Sequence, residues 1–162
     1  MGSNGSVIPF FLKKRKNGIL PITHPNMTRF NISLLDGVKM VINALNTAWG
    51  GEIFIPKIPS YKIMDLAEAI CSDCKKEIVG IRPGEKIHEQ MIGYEDGMYT
   101  YEYNDYYKIL PLLKDWCNDS NRIKDGIKVP ENFRYISNEN KEWMSVENLR
   151  IWIENFLKIR NK

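Results

Sequence analysis

The chain has 162 residues and a net charge of +3, with 43% hydrophobic and 27% charged residues, which is ordinary for one globular domain with a sizeable core. No apolar run approaches the ~18 residues of a membrane-spanning helix, and the N-terminus lacks the apolar stretch of a signal peptide. We therefore expect a cytoplasmic protein that does not contact membranes, and the charge is too small to indicate a nucleic-acid partner.

The first residues predict a short helix followed by an extended stretch. Residues 6–16 read as a helix with Pro9 in its first turn, where the missing N–H costs little. Gly18 is a typical residue for the end of a helix. Residues 19–30 are strand-like, and we expect two prolines to interrupt them: Pro21 and Pro25.

A longer helix is predicted after Ser33, which forms a capping pair with Asp36. Glycines at Gly50 and Gly51 end it. Between these signals, apolar residues recur at helical spacing: Leu34, Leu35, Val38, Val41, Ile42 and Leu45.

A strand, a helix and a second strand are predicted next. Residues 52–56 form the short strand, and Ser60 is placed to cap a helix that runs to about Cys71. Four residues form one apolar face of that helix: Ile63, Leu66, Ala67 and Ile70. A strand over 77–81 then leads into Arg82.

Residues 94–107 contain six tyrosines at partly alternating spacing, which predicts a hairpin or a pair of short strands. The alternative, a platform on which nucleic-acid bases stack, is disfavoured because acidic residues lie among the tyrosines: Glu95, Asp96, Glu102 and Asp105. Residues 118–130 are polar and loop-like. Ser145 caps a last helix whose core face has five residues: Val146, Leu149, Trp152, Ile153 and Phe156.

The three cysteines are Cys71, Cys74 and Cys117. An odd number without an export signal argues against a disulfide framework. Cys71 and Cys74 have the spacing of a metal or redox pair, but neither a second pair nor a thioredoxin-like context accompanies them. We therefore predict structural cysteines and no metal site.

Catalytic candidates are scarce. No Ser/His/Asp order or paired carboxylates stand out, and His24 and His88 read as structural hydrogen-bonding residues. None of the eight tyrosines has a lysine four residues later, the pair that lowers the pKa of the phenol in short-chain dehydrogenases. The sequence therefore predicts no catalytic residue on this chain.

Anion-binding candidates are more numerous. Arg82 precedes a rigid Pro-Gly turn and Glu85, so a guanidinium able to grip a pyrophosphate stands beside a carboxylate able to accept sugar hydroxyls. Arg29 is a second possible anion ligand. Residues 2–6 resemble a phosphate-binding loop before a helix, although no strand precedes them and Ile8 occupies the third glycine position of the dinucleotide fingerprint.

Four longer motifs occur in order along the chain: GSNGSVIPFF at 2–11, LPITHPNMTRF at 20–30, GEIFIPKIPS at 51–60 and GIRPGEKIHE at 80–89. They resemble the C-terminal half of inverting UDP-N-acetylglucosamine 4,6-dehydratases, in the polysaccharide-biosynthesis branch of the extended short-chain dehydrogenase/reductase superfamily. The tail FRYISNENKEWMSVE at 133–147 resembles the C-terminal segment of that branch.

The resemblance implies an α/β or α+β fold, a small mixed substrate domain of short strands and helices without the Rossmann sheet. It divides the chain into a nucleotide-sugar-binding domain at 1–130 and a tail segment at 131–162 that ends in a helix. In that family the Rossmann domain binds NADP and carries the Tyr-x-x-x-Lys pair. We therefore expect no cofactor and no turnover on this chain alone.

The resemblance also implies a site for UDP-N-acetylglucosamine or a similar UDP-sugar. Arg29 and Arg82 would bind the phosphates, Glu85 the ribose hydroxyls, and Thr23 the uridine side. Four residues would line the nucleotide pocket: Val7, Ile8, Pro9 and Phe10. Three tail residues would close over the ligand: Ser137, Asn138 and Asn140. Asn4 would also contact the ligand, at a position where family members often have an arginine.

Other functions stay open from the sequence. The chain could be a stand-alone UDP-sugar-binding or interaction module, or part of a related UDP-sugar epimerase that shares the Arg-Pro-Gly-Glu motif. The resemblance implies a homo-oligomer and leaves room for a separate Rossmann-domain subunit.

Overall fold

The computed structural model describes residues 6–112 and 120–160. Its elements follow the chain in this order: α1 (Val7–Lys14), a 3-10 turn (Arg15–Asn17), β1 (Ile19–Ile22), β2 (Thr28–Phe30), α2 (Leu34–Thr47), β3 (Ile53–Pro56), β4 (Ser60–Lys62), α3 (Ile63–Ile70), β5 (Lys75–Ile78), β6 (Gln90–Ile92), α4 (Tyr94–Gly97), β7 (Thr100–Glu102), β8 (Tyr106–Ile109), β9 (Ile127–Lys128), β10 (Tyr135–Ile136) and α5 (Val146–Arg160). The predicted mixture of helices and short strands is confirmed. No helix in these described ranges is long and apolar enough to cross a membrane.

The first of two compact units contains residues 6–31, 59–89 and 137–160. In it β1 pairs in parallel with β5, β2 pairs antiparallel with β4, and α3 packs against α5. Its core is apolar and draws on α1, β1, α3 and α5, with Ile8, Leu20, Leu66 and Leu149 fully buried.

The second unit contains residues 32–58 and 90–136, of which 113–119 are not described. Four strands form one sheet in the order β3-β8-β7-β9, and β6 pairs antiparallel with β10. The Tyr135 hydroxyl donates to the Ile58 carbonyl (3.0 Å) and accepts the Ile58 N–H (2.9 Å). The division into 1–130 and 131–162 stays a prediction.

Most predicted helices are confirmed near their predicted ends. Gly18 follows the first helix with φ +69°, a left-handed value that glycine adopts readily. Ser33 caps α2 by accepting the N–H of Asp36 (3.1 Å), and Ser145 caps α5 by accepting the N–H of Asn148 (3.2 Å). The predicted core face of α3 is buried.

Ser60 corrects one prediction, since it begins β4 and does not cap a helix. It is fully buried, its N–H donates to the Glu142 carbonyl (2.9 Å), and its own carbonyl accepts the Met144 N–H (2.8 Å). Partners some eighty residues away therefore outweigh the local capping tendency of serine.

Four further predictions need correction. Pro21 lies within β1, which has a single partner strand in the described structure, so its missing N–H interrupts no second ladder. The strand before Arg82 is β5, which ends at Ile78. The hairpin of β7 and β8 is confirmed, but Tyr94–Gly97 form a helical turn, α4. Within the predicted loop 118–130, residues 127–128 form β9, and 118–119 lie outside the described residues.

The expectation against a disulfide is wrong for Cys71 and Cys74, whose sulfur atoms are bonded. Helix α3 ends at Ile70, Cys71 leaves it in an extended conformation, and the next residues bend back. The two Cα atoms come within 5.3 Å, inside the range that a disulfide spans. Cys117 lies outside the described residues.

The tyrosine-rich segment packs on itself and on aromatic residues at 133–135. The rings of Tyr103 and Tyr106 stack with centroids 4.7 Å apart, and Tyr107 contacts the rings of Phe133 and Tyr135. These contacts favour the structural interpretation of the segment over a base-stacking platform.

We predict that Leu149→Ala lowers the free energy of unfolding by about 2–5 kcal/mol, because it empties a fully buried position of α5. The matched control on the same helix is Ile151→Ala, which truncates a side chain that is 51% exposed and should change stability by less than about 0.5 kcal/mol. Urea unfolding followed by circular dichroism measures both. Equal losses would contradict this assignment of the core.

Candidate functional site

The first unit contains a pocket of about 710 Å³, within the size range of small-molecule sites. Residues from α1, β1, β2, β4 and the segment 82–89 line it. The lining residues are Ser6, Val7, Pro9, Phe10, Phe11, Lys13, Pro21, Thr23, Met27, Arg29, Phe30, Tyr61, Ile63, Arg82, Glu85 and Glu89.

Seven of the twelve predicted site residues lie on the wall of this one pocket. They come from three separate stretches of the sequence: Val7, Pro9, Phe10, Thr23, Arg29, Arg82 and Glu85. Sequence motifs that are up to 78 residues apart therefore converge on the same cavity.

Ile8 does not line the pocket, which corrects its predicted position. It is fully buried in the core of the first unit. At 100° per residue its side chain points away from Pro9, Phe10 and Lys13, three of the five α1 residues that line the cavity.

The predicted tail residues also lie outside the pocket lining. Asn138 is exposed, whereas Asn140 donates from its side-chain amide to the Ser60 hydroxyl (3.0 Å) and the Glu142 carbonyl (3.1 Å). Asn4 and the glycine-rich loop that contains it lie outside the described residues. The ligand roles of these residues stay predictions.

Arg82 and Glu85 stand at the two ends of a tight turn. The Glu85 N–H donates to the Arg82 carbonyl (3.1 Å), with Pro83 and Gly84 at the central positions. Gly84 has φ +81°, the positive value that the third position of a type II turn requires. The turn presents the exposed Arg82 side chain and the half-buried Glu85 side chain to the same pocket.

Arg29 on β2 is largely engaged by the protein. Its guanidinium donates to the carbonyls of Thr28 (2.7 Å), Ile87 (3.0 Å) and Lys86 (2.9 Å), and its Nε lies 3.5 Å from a carboxylate oxygen of Glu89. Of its five N–H groups, one on Nη2 has no acceptor within the described chain. Arg29 therefore anchors the segment after the Arg82–Glu85 turn and adds positive charge to the pocket wall.

Glu89 and Tyr61 line the pocket but were not predicted. The second carboxylate oxygen of Glu89 accepts the N–H of Phe30 (3.1 Å), so this acid bridges the arginine and the strand that carries it. Burial raises the pKa of the Tyr61 phenol, the Glu89 carboxylate raises it further, and Arg29 lowers it. Tyr61 is therefore neutral at physiological pH.

Ser137 lies behind the pocket, where it fixes the backbone of Glu89. It is fully buried, its hydroxyl accepts the Glu89 N–H (2.9 Å), and its own N–H donates to the Glu89 carbonyl (2.8 Å). The Thr28 hydroxyl shares hydrogen bonds with the Ser137 hydroxyl (2.6 Å) and the Nδ1 atom of His88 (2.8 Å). His88 thus has the structural role that the sequence predicted, and His24 likewise accepts the Asn26 N–H (3.2 Å).

The sequence carried little signal for the missed lining residues. Tyr61 directly follows one motif and Glu89 is the last residue of another, but their side chains reach the pocket through the pairing of β2 with β4 and through the Arg29 contacts. Lys13 belongs to a run of four basic residues at 13–16, a pattern that is typical of a solvated helix end.

The charges of the pocket suit an anionic ligand with hydroxyl groups. Lys13, Arg29 and Arg82 supply positive charge, and Glu85 and Glu89 are hydrogen-bond acceptors. In the described parts of the chain, no group of three His, Cys, Asp or Glu residues is placed to hold a metal ion. The arrangement is suited to an anionic ligand, and the fold that carries it is a mixed α/β fold of short strands and helices.

The chain belongs to the polysaccharide biosynthesis protein family, whose model matches residues 1–111. It is 49% identical over 156 residues to the inverting UDP-N-acetylglucosamine 4,6-dehydratase of Campylobacter jejuni subsp. jejuni serotype O:2, covering 92% of this chain and 47% of the relative. It is 42% identical over 114 residues to the UDP-glucose 4-epimerase of Rickettsia conorii, covering 67% of this chain and 33% of the relative.

The fold is also similar to the X-ray structure of Pen from Bacillus thuringiensis, with a TM-score of 0.78 and 30% identity. That match covers 96% of this chain and 46% of the solved one. The chain therefore spans about half the length of the curated dehydratases it matches.

We predict that Ser137→Ala lowers the free energy of unfolding by about 1–3 kcal/mol, because the Glu89 N–H loses its hydroxyl acceptor. Thr28→Val should be coupled to it by about 0.5–3 kcal/mol in a double-mutant cycle, since the two hydroxyls are bonded. Ser72→Ala, at an exposed position, is the control and should be nearly neutral. Strict additivity in urea unfolding would count against the Thr28–Ser137 bond.

A second prediction concerns pH. The folded-state pKa of Tyr61 is raised above its ordinary value of 10.0, so its contribution to stability is complete below pH 10 and is lost as pH rises above that value. Tyr61→Phe should therefore lose less stability than the wild type above pH 10, as measured by urea unfolding across that pH. Tyr94→Phe, at an exposed tyrosine, should follow the wild-type curve. Parallel curves for the wild type and Tyr61→Phe would refute the burial of this phenol.

Proposed function

We propose that this chain is the substrate-binding portion of an inverting UDP-N-acetylglucosamine 4,6-dehydratase that acts in surface polysaccharide or glycan biosynthesis. One observation carries the proposal: Arg29, Arg82 and Glu85, from two separate motifs, line a single pocket of about 710 Å³. A nucleotide-sugar needs cations for its diphosphate and a carboxylate for its ribose hydroxyls. The 49% identity to the Campylobacter jejuni dehydratase supports the same substrate class.

Arg82 is the principal diphosphate ligand in this proposal. Its guanidinium has no hydrogen-bond partner within residues 6–112 and 120–160, so all five of its N–H groups are available for bidentate contacts. Arg29 adds its charge and one Nη2 N–H, because its other donors hold backbone carbonyls.

The remaining contacts follow from the pocket wall. Glu85 accepts the ribose hydroxyls, Thr23 contacts the uridine side, and an apolar strip packs against the nucleotide: Val7, Pro9 and Phe10. The proposal keeps the three tail residues, all outside the pocket lining; of these Asn138 is exposed, Ser137 is buried and the Asn140 amide is hydrogen-bonded. The proposal extends to Asn4, in the loop before α1.

We assign the NADP site and the catalytic residues to the part of the relatives that this chain does not span. The residues here do not fit a dehydrogenase centre: a catalytic tyrosine needs a lowered phenol pKa, whereas the pKa of Tyr61, the tyrosine on the pocket wall, is raised. We therefore derive no hydride-transfer step from this chain. The same proposal makes the complete protein a cytoplasmic homo-oligomer.

The epimerase alternative rests on a specific observation, the 42% identity to the Rickettsia conorii UDP-glucose 4-epimerase over 114 residues. The same pocket would then hold UDP-glucose. A stand-alone UDP-sugar-binding module would use it without any catalytic partner.

We predict that the chain binds UDP-N-acetylglucosamine and that Arg82→Ala weakens binding about 10- to 100-fold, the usual cost of losing a charge-assisted pair of hydrogen bonds. Isothermal titration calorimetry measures both affinities. The matched control is Arg150→Ala, which removes an equal charge from the solvent face of α5.

Unchanged affinity in Arg82→Ala would remove the basis of the diphosphate assignment. Tighter binding of UDP-glucose than of UDP-N-acetylglucosamine would favour the epimerase alternative. Water elimination catalysed by this chain alone would overturn the assignment of the catalytic residues to the part of the relatives that it does not span.

A further inference from the structure

Tyr61 on β4 is a buried tyrosine whose hydroxyl is unpaired. Only 2% of the residue is exposed, and its hydroxyl has no hydrogen-bond partner within residues 6–112 and 120–160. A buried phenol normally finds a partner, as the Tyr135 hydroxyl does by bonding both the N–H and the carbonyl of Ile58. The unpaired hydroxyl of Tyr61 therefore indicates a partner outside the described residues.

This hydroxyl opens onto the pocket of the first unit. Among the described residues, the side-chain polar atom that is both unpaired and fully enclosed is Oδ1 of Asn31. The Tyr61 oxygen is unpaired but not enclosed, and the space that it reaches is the cavity that Tyr61 lines. A molecule bound in the pocket can therefore contact it.

The strand register places Tyr61 beside Arg29. Strands β2 and β4 are antiparallel, and Tyr61 is directly opposite Arg29 in their register. Side chains at opposed positions of an antiparallel pair lie on the same face, with Cβ atoms about 4.5–5.5 Å apart. Both residues line the pocket, and Arg29 has one Nη2 N–H without an acceptor in the described chain. Two neighbouring donors are therefore available to the same part of the cavity.

The protonation state makes the Tyr61 hydroxyl a donor. Burial and the Glu89 carboxylate raise the pKa of the phenol, so the hydroxyl keeps its proton at physiological pH. Glu89 is not the acceptor of that proton, since its carboxylate accepts the N–H of Phe30 and pairs with Arg29 instead. The acceptor must then be supplied by a ligand.

A phosphate oxygen is the acceptor that suits this position. Glu89 lies 3.5 Å from the Nε atom of Arg29 and offsets part of the positive charge, so an anion here depends on hydrogen bonds as well as on net charge. The Arg29 N–H and the Tyr61 O–H can supply two of them. Hydrogen bonds to an ionised acceptor are roughly twice as strong as those between neutral groups, so each of these donors gains most from a phosphate.

We propose that the Tyr61 hydroxyl is a ligand contact that donates, together with the Nη2 N–H of Arg29, to one phosphate of a bound diphosphate, while Arg82 contacts the other phosphate. This inference rests on the proposed UDP-sugar site and adds a residue to it. Tyr61 then determines the affinity for the diphosphate and has no part in recognising the sugar or the base.

Calorimetry with three probes tests the contact: UDP-N-acetylglucosamine, UDP and inorganic pyrophosphate. Tyr61→Phe removes the hydroxyl but keeps the ring, and it should weaken binding of all three about 10- to 100-fold, the usual cost of losing a hydrogen bond to a charged group. The matched control is Tyr107→Phe, at a buried tyrosine outside the pocket lining, which should leave the three affinities unchanged. Circular dichroism verifies that both variants are folded.

The three probes separate this inference from the proposed function. Unchanged affinity in Tyr61→Phe, or a loss confined to UDP-N-acetylglucosamine, would overturn the phosphate contact and leave the UDP-sugar site standing. If the wild-type chain bound UDP and pyrophosphate but not UDP-N-acetylglucosamine, the proposed function would fail, and weaker binding of both probes by Tyr61→Phe would still support the contact. No binding of any probe would overturn both.

A spectroscopic measurement on the unsubstituted chain does not depend on how Tyr61→Phe folds. Tyrosine that carries ¹³C at Cζ is incorporated at position 61 alone, and its resonance is followed by NMR as UDP is added. We expect the resonance to shift with the midpoint found by calorimetry, because a new hydrogen bond changes the shielding of the carbon that bears the hydroxyl. A resonance that stays in place while UDP binds would refute the contact.

Discussion

The Arg29 guanidinium holds together the two segments on which the pocket depends. It donates to three backbone carbonyls, two of them at Lys86 and Ile87, nearly sixty residues along the chain, and it pairs with Glu89. Glu89 in turn accepts the N–H of Phe30, so β2 and the segment after the Arg82 turn are joined at several points. A planar group with five donors is suited to this, since a lysine could not satisfy acceptors in so many directions.

The same interaction separates two roles that an arginine in a binding pocket can have. Arg29 is mostly enclosed, with 18% of its side chain exposed, and its hydrogen bonds offset the cost of that burial. Arg82 is exposed at the tip of a tight turn and has its donors available. One arginine therefore shapes the pocket and supplies charge, and the other is free to contact a ligand. Spacing in the sequence does not distinguish them, because two of the three carbonyls that engage Arg29 belong to a distant segment.

For helix α2, the sequence predicts which face is apolar but does not predict whether that face is buried. The periodicity of its leucines and valines correctly predicts an amphipathic helix, and Ser33 with Asp36 correctly predicts where it begins. In the structure that face is exposed to solvent, and the less apolar face of the helix is the one that is partly buried. The apolar periodicity identifies the more apolar face of the helix, but only the rest of the chain determines which face is buried.

What the sequence determined by itself was local. Capping residues, helical periodicity, a Pro-Gly turn and the alternation in β7 and β8 depend on neighbours within a few residues, so the helices, the hairpin and the Arg82–Glu85 turn could be predicted. The motifs also identified most of the candidate binding residues. What only the tertiary structure decided depends on partners far along the chain: Ser60 as a strand residue, Ile8 in the core, and Tyr61 and Glu89 on the pocket wall. At these positions a hydrogen bond or a buried contact across many residues outweighs the local preference. No short window of sequence contains both partners of such a contact.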